Sequence, residues 1–156
     1  QVLTATLTAS WACVLVCLLI AFAFIAAVVG VDFGPHVGLC LVAIGAASLM
    51  SSAAGAALGS AGRARVGGGS AITCLLSLFT GLYGPGAQSV ANAVELNAPL
   101  LAQANPLWQA SHCFYALLYY DSLEPFARSC AVLAGMTGLF LAIALIRARR
   151  MTHEHL

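Results

Sequence analysis

Apolar residues fall into four long runs along the chain, separated by shorter polar stretches. The first run covers residues 7–29 and the second covers residues 35–60, with turn-forming residues such as Asp32 and Gly34 between them. The third covers residues 68–83 and the fourth covers residues 126–146. Because about 20 apolar residues cross a bilayer as a helix, the pattern predicts an all-α integral membrane protein with four transmembrane helices.

The region between the third and fourth runs, residues 85–124, has a different pattern. An apolar side persists through Val90, Val94, Leu100 and Leu101. The polar positions on the same stretch are Gln88, Ser89, Asn92, Glu95, Asn97 and Gln103. Since lipid cannot satisfy so many polar groups, we expect this region to lie on the outer surface, or to dip into the membrane and return, as two short helices.

Glycine and proline residues mark the ends of these short helices. Gly81, Gly84 and Pro85 are predicted to break the third span, because they free backbone groups that a regular helix would pair. Asn105 and Pro106 should open the second short helix, with Asn105 as its N-cap and Pro106 in its first turn. A span that stops and restarts in this way is typical of transport proteins, so we expect these five residues to form a span break and an outer gate.

The helix predicted after Pro106 carries its aromatic residues on one face. Trp108, His112, Tyr115 and Tyr119 follow the spacing i, i+4, i+7 and i+11. Aromatic rings are enriched at membrane–water interfaces. The face therefore either anchors the helix at the interface and packs on protein, or contacts a transported substrate. His112 is either a hydrogen-bonded interface residue or a proton relay.

Small residues recur at helical spacing on the second span. Ser51, Gly55 and Gly59 lie four residues apart, and we call them the small-residue face. Small residues allow helix backbones to approach closely in membranes. The face is either a packing surface, within the chain or against a partner, or a chance product of a composition rich in Ala and Gly. The run 67–69 of three glycines is predicted to be a short flexible connection before the third span.

Composition agrees with a membrane protein. Hydrophobic residues make up 62% of the chain and charged residues 7%, whereas soluble domains carry about 25% charged residues. The net charge of +1 indicates no nucleic-acid partner. The lipid bilayer is the predicted environment, and we expect the protein in a bacterial cytoplasmic membrane.

The few charges predict an orientation for the spans. Two crossings separate the two arginine clusters, so the clusters share one side, and the positive-inside rule makes that side cytoplasmic. The clusters are Arg63 and Arg65 in the loop after the second span, and Arg147, Arg149 and Arg150 in the tail 147–156. The acidic residues Asp32, Glu95, Asp121 and Glu124 then fall outside. Arg128 is the exception, and either pairs with Glu124 one turn earlier or is a solvated or snorkelling side chain.

No candidate chemistry of a catalyst is present. No ionisable residue lies in the middle of a predicted span, which argues against an ion-coupled carrier. No nucleophile–base constellation, metal-binding spacing or phosphate-binding loop is found, so we expect neither enzymatic activity nor a cofactor. Cys113 and Cys130 lie near the predicted outer boundary, where a disulfide is conceivable, although the sequence does not fix its geometry.

The order of these features resembles the carboxy-terminal half of type-2 ABC transporter permeases. In those proteins the next-to-last span ends in a glycine–proline break, two short re-entrant helices follow, an Asn-Pro opens the second, and the last span ends in a basic tail. The matching residues are Gly55 and Gly59, Arg63 and Arg65, Phe79-Thr80-Gly81-Leu82-Tyr83-Gly84-Pro85, Pro99, Asn105-Pro106, Phe114-Tyr115-Ala116-Leu117, Tyr120-Asp121-Ser122-Leu123 and Arg147-Ala148-Arg149-Arg150.

This resemblance implies a function and a set of partners. It implies a membrane subunit, or half of one, of an ABC-type exporter, with ATP hydrolysis in a separate ATPase chain. It also implies a dimer of permeases and a missing amino-terminal half, since family members usually have six spans, so the chain looks like a fragment or a split subunit. The alternative is a non-transporting four-span membrane protein with a structural or regulatory role.

Overall fold

The computed structural model describes residues 2–60, 63–81 and 83–153, and this part of the chain is helical with short connections. The side chains of Arg63, Arg65, Arg149 and Arg150 and the tail residues 154–156, all part of the predicted cytoplasmic charge pattern, lie outside the described residues. The helices in order are α1 (Val2–Phe24, continued by a π-helical turn at Ile25–Val29), a 3-10 turn at Gly34–His36, α2 (Val37–Gly59), α3 (Arg63–Leu78), α4 (Pro85–Asn97), α5 (Pro99–Gln103), α6 (Pro106–Tyr119) and α7 (Glu124–His153).

Helix α2 lies at the centre and contacts α1, α3, α6 and α7. The indole Nε1 of Trp11 on α1 donates a hydrogen bond of 3.0 Å to the hydroxyl of Ser48, which is fully buried in the middle of α2. The Ser48 hydroxyl in turn donates to the carbonyl of Gly45. Polar contacts of this kind join helices in membranes, where packing rather than hydrophobic burial drives association.

Helices α2 and α7 run in the same direction. At one end, the guanidinium of Arg147 lies 3.4 Å from the carbonyl oxygen of Ala57, close to the end of α2. Towards the other end, α2 and α7 share a hydrophobic core with α6. This core contains Cys40, Ala43, Met50, Cys113, Ala116, Leu117, Phe126 and Leu133. We call the end of the helix bundle near Ala57 and Arg147 the Arg147 end, and the opposite end, where α2 and α7 begin, the core end.

Helix α3 includes the three glycines that the sequence analysis assigned to a flexible connection. That prediction is wrong, because residues 67–69 are helical. The physical reason is packing: Gly69 is buried, and a Cβ at its position would lie 3.0 Å from a methyl carbon of Leu58 on α2. The absence of a side chain at Gly69 lets α3 start directly against the end of α2.

Three of the described helical segments are long and apolar enough to cross a membrane. They are Thr4–Val29, Gly34–Gly59 and Glu124–Ala148. The predicted third span is shorter, since the apolar part of α3 covers only Gly68–Leu78, a length of about 16 Å at the usual helical rise. The described residues thus form an all-helical fold with three helices able to cross a membrane, as predicted, whereas the predicted third span is not a full-length helix.

The region after α3 contains three helices where the sequence predicted two. Pro99 begins α5, a helix of five residues, after the backbone leaves helical geometry at Ala98.

At the start of α7, no ion pair joins Glu124 to Arg128 among the described residues. Both side chains are exposed, which agrees with the solvated alternative for Arg128.

Candidate functional site

The break after α3 is built from two glycines with backbone angles that other residues rarely adopt. Gly81 has φ = 76° and Gly84 has φ = 99°. Gly84 precedes α4 as its N-cap residue, and Pro85 occupies the first helical position, where its missing N–H costs nothing. Gly81 is buried, and a Cβ there would lie 3.4 Å from Cβ of Ala91 on α4.

Local hydrogen bonds satisfy two of the carbonyl groups at the end of α3. The carbonyl of Leu76 accepts from the N–H of Phe79, and the carbonyl of Ser77 accepts from both the N–H and the hydroxyl of Thr80. Thr80 is buried. Gly81 is buried as well, whereas Tyr83 is 66% exposed.

Asn105 connects the break to α6. Its side-chain oxygen accepts a hydrogen bond of 3.0 Å from the N–H of Leu107, so Asn105 is the N-cap of α6 and Pro106 occupies the first turn. Its amide nitrogen donates a hydrogen bond of 2.9 Å to the carbonyl of Leu76 at the end of α3. Asn105 is only 4% exposed, which makes it a buried link between two helix ends.

The aromatic residues of α6 line one side of a cavity. The rings of Trp108 and His112 stack with centroids 4.5 Å apart, and those of Tyr115 and Tyr119 stack at 5.8 Å. All four line a space of about 480 Å³, which we call the polar cavity. Its other lining residues are Thr80, Gly81, Gln88, Ala91, Asn92, Glu95, Ser111 and Tyr120. The aromatic face predicted from the sequence is thus directed towards a cavity as well as towards protein.

A second space, of about 630 Å³, adjoins the polar cavity, and we call it the apolar cavity. It lies between α1, α2, the end of α3 and α6. Its lining residues are Val14, Leu18, Ile44, Ala47, Met50, Ser51, Ser77, Thr80, Leu107, Ala110, Ser111, Phe114, Tyr115, Leu118 and Tyr119. Cavities of this size accommodate small organic ligands.

His112 lies between the polar cavity and α7. Its Nδ1 atom is 3.1 Å from the hydroxyl of Ser129, which is buried. Burial lowers the pKa of His112 from its usual value, while the nearby carboxylate of Glu95 opposes this shift and the guanidinium of Arg128 adds to it. The neutral ring is therefore favoured, as expected for a hydrogen-bonded residue.

Cys113 and Cys130 lie side by side as free thiols. Their sulfur atoms are 3.8 Å apart, and Cys113 is fully buried. Burial, together with the neighbouring Cys130, raises the pKa of Cys113 to about 12. A thiol held in its protonated form reacts slowly as a nucleophile, so this pair serves as packing between α6 and α7 in its reduced state.

The small-residue face does not pack against the described part of the chain. Gly55 and Gly59 are exposed, and a Cβ at either position would meet no atom within 4 Å. Ser51 lines the apolar cavity. The close approach of helices within the chain occurs instead at Gly69.

The sequence analysis missed two of the four residues that line both cavities, since it identified only Tyr115 and Tyr119. Thr80 and Ser111 line both of them, and neither stands out in a sequence, because small hydroxyl residues are common in apolar helices. The buried Gln109, whose amide donates to the carbonyl of Gln103, was also missed. Its position one residue after the Trp of an amphipathic helix gave no indication of burial. Among the described residues, no cluster of three or more His, Cys, Asp or Glu side chains is placed to hold a metal ion.

Comparison with known proteins identifies the family. The sequence profile described as ABC-2 family transporter protein matches residues 1–146. Searches of curated proteins and of solved structures find no match. The matched region contains all four apolar runs, the break after α3 and the helices that line the cavities. The chain therefore belongs to the ABC-2 transporter family, whose members are membrane-embedded permease components of ABC transporters.

Proposed function

We infer that this chain is a membrane subunit, or part of one, of an ABC-type exporter. It contributes spans and the outer gate to the transport path, and a separate ATPase drives the transport cycle. Membership of the ABC-2 family supports the transport role. One observation supports the proposed outer gate: the end of α3, the glycine break and the start of α6 meet beside two cavities.

The parallel directions of α2 and α7 support a fourth crossing. Ala57 and Arg147 meet at one end of the bundle, whereas both helices begin at the core end. Residues 60–123 must therefore connect opposite ends of the bundle. Because α3 alone is short, we propose that it makes this crossing together with the segments that follow the break.

The depth of α6 supports a re-entrant arrangement. His112 and Cys113 of α6 lie beside Ser129 and Cys130 of α7, and α6 ends close to where α7 begins. The two helices therefore run antiparallel. Asn105 lies about 12 Å along α6 from Cys113, on the side of the Arg147 end. In our proposal α6 is thus the returning part of a segment that dips from the outer side, with α4 and α5 before it.

The location of the break supports its role as an outer gate. Thr80 and Gly81 line the polar cavity, and Thr80 also lines the apolar cavity. A change in the backbone at the break would therefore change the width of both spaces. We propose that ATP-driven movement of the spans is transmitted to the cavities through this segment and through its hydrogen bond to Asn105.

The proposed assembly contains further chains. Two permease copies, each with an amino-terminal half, would form the complete path with a pair of ATPase subunits on the cytoplasmic side. The Arg147 end faces the cytoplasm in this proposal, because the arginine clusters follow the positive-inside rule. The exposed positions of Gly55 and Gly59 support a packing surface against a partner helix.

The test is to purify the complete protein that contains this chain from the membranes of cells that produce it. Co-purifying chains are identified by mass spectrometry, and ATP hydrolysis is measured after reconstitution into liposomes. We expect a stoichiometric ATPase subunit with Walker motifs and vanadate-sensitive hydrolysis. A preparation that is pure, folded and free of any nucleotide-binding chain would contradict the proposal and favour the non-transporting alternative.

A further inference from the structure

The polar and apolar cavities lie next to each other. Four residues line both of them, namely Thr80, Ser111, Tyr115 and Tyr119. These residues form a boundary that a single ligand could cross. A ligand that filled both compartments would need one apolar part and one polar part, so the space is suited to an amphiphile.

The apolar compartment lies at the depth where lipid chains occur. Val14 and Leu18 belong to the middle of α1, and Ile44 and Met50 belong to the middle of α2. Both helices are long and apolar enough to cross a bilayer. With Phe114 from α6, these side chains offer hydrocarbon surface at mid-membrane depth, which favours a hydrocarbon tail over a polar group.

The polar compartment favours a positively charged group. Glu95 carries the negative charge among its described lining residues, and no arginine is among them. The aromatic rings of Trp108, Tyr115 and Tyr120 line the same space. Cations are attracted both to carboxylates and to the faces of aromatic rings. An anionic group would instead meet the carboxylate of Glu95, while Arg128 lines a neighbouring cavity that shares Trp108 and His112 with the polar cavity.

We propose that the joined cavities bind a cationic amphiphile. Its hydrocarbon tail lies in the apolar cavity, and its ammonium or quaternary ammonium group lies against Glu95 and the aromatic face of α6. The inference deepens the proposed function and rests on it, because the bound amphiphile is taken to be the transported substrate.

Binding is tested with the full chain in lipid nanodiscs, using dodecyltrimethylammonium as the probe. A Trp11→Phe background leaves Trp108 as the single tryptophan of the chain, so its fluorescence reports on the polar cavity. We expect a saturable change in this fluorescence. Glu95→Gln should weaken binding about fivefold, the size of one exposed charge or cation–π contact. The matched control Glu124→Gln removes an exposed carboxylate outside the polar cavity and should change binding by less than about twofold.

The tail compartment has its own pair of variants. Ala110→Phe should fill the apolar cavity and reduce binding of dodecyltrimethylammonium, whereas Ala93→Phe, at an exposed position of α4 outside both cavities, should not. Circular dichroism of each variant verifies that it is folded. The probe partitions equally into the lipid of every sample, so differences between variants report on the protein.

Three results would overturn the inference: no saturable fluorescence change, an equal change with dodecyl sulfate, or equal effects of Glu95→Gln and Glu124→Gln. Binding in nanodiscs requires no ATPase. If the chain associates with an ATPase but does not bind the probe, the inference about the amphiphile is therefore wrong, whereas the proposed transport function stands. Intact binding without any ATPase partner would instead remove the proposed transport function.

Discussion

The hydrogen bonds of Asn105 give the sharpest prediction about the junction between α3 and α6. Asn105→Ala removes the N-cap bond from the N–H of Leu107, which costs about 1 kcal/mol. It also removes the bond to the carbonyl of Leu76. That second loss should cost about 1 kcal/mol, because the carbonyl keeps its bond from the N–H of Phe79. The expected decrease in the free energy of unfolding is therefore about 2 kcal/mol.

Asn105→Ser separates the two contributions. A serine retains the capping oxygen but lacks the amide that donates to Leu76, so we expect a loss of about 1 kcal/mol. The matched control is Asn97→Ala, because Asn97 is exposed on α4 and donates only to the carbonyl of Ala93 in its own helix. This control should change stability by less than about 0.5 kcal/mol.

The measurement is reversible unfolding in mixed detergent micelles, followed by circular dichroism. Hydrogen exchange of the Leu107 amide gives a local readout of the cap. If Asn105→Ala were as stable as Asn97→Ala, the hydrogen bonds of Asn105 would contribute nothing to the free energy of unfolding. The account of the junction would then be wrong.

Three further predictions concern other parts of the chain. Gly81→Ala should destabilise the fold by about 1–2 kcal/mol in the same unfolding assay, because it forces a side chain into the left-handed region. The control Gly86→Ala, in open space inside a helix, should be neutral or stabilising, and equal effects of the two variants would contradict the role of the break. Burial lowers the pKa of His112, so its ring binds a proton more readily in the unfolded chain, and thermal stability should fall as the pH drops below about 6.5. A His112→Gln variant with the same pH profile of thermal stability would refute the assignment of this effect to His112. Gly55→Leu should reduce dimer formation, measured by cross-linking in native membranes, with little effect on the unfolding of the single chain, whereas Ala56→Leu should preserve the dimer. The same dimer yield from both variants would exclude the small-residue face as the dimer contact.

The parts of the fold that sequence predicted well depend on local chemistry. Asn105 and Pro106 open α6 because capping and the fixed φ of proline act within one helical turn. Pro85 opens α4 for the same physical reason, although the sequence analysis assigned it only to the break of the third span. The apolar runs indicated the three long helices because crossing a bilayer requires a minimum length of apolar sequence.

The parts that sequence did not predict depend on contacts between distant residues. The close packing of Gly69 on α3 against Leu58 of α2 is one such contact. The hydrogen bond between Trp11 and Ser48 joins positions 37 residues apart. No periodicity indicated that α2 would be the central helix, because it is apolar on every side and its neighbours decide which residues become buried.

The candidate site shows the same division. The shared face of Trp108, Tyr115 and Tyr119 followed from helical spacing, and all three residues line the polar cavity. The boundary at Thr80 and Ser111 could not, because it requires the end of α3 to lie beside α6. That approach includes the bond from Asn105 to Leu76, which is a tertiary contact.

The most direct test of the account is the sidedness of the region between α3 and α7. Single cysteines replace Arg63, Glu95 or Arg149 in a cysteine-free background and are treated in intact cells with a membrane-impermeant maleimide. The account predicts that position 95 reacts from the outside, whereas positions 63 and 149 react only after the membrane is opened. Reaction of positions 63 and 95 from the same side would contradict the fourth crossing and the outer gate built on it.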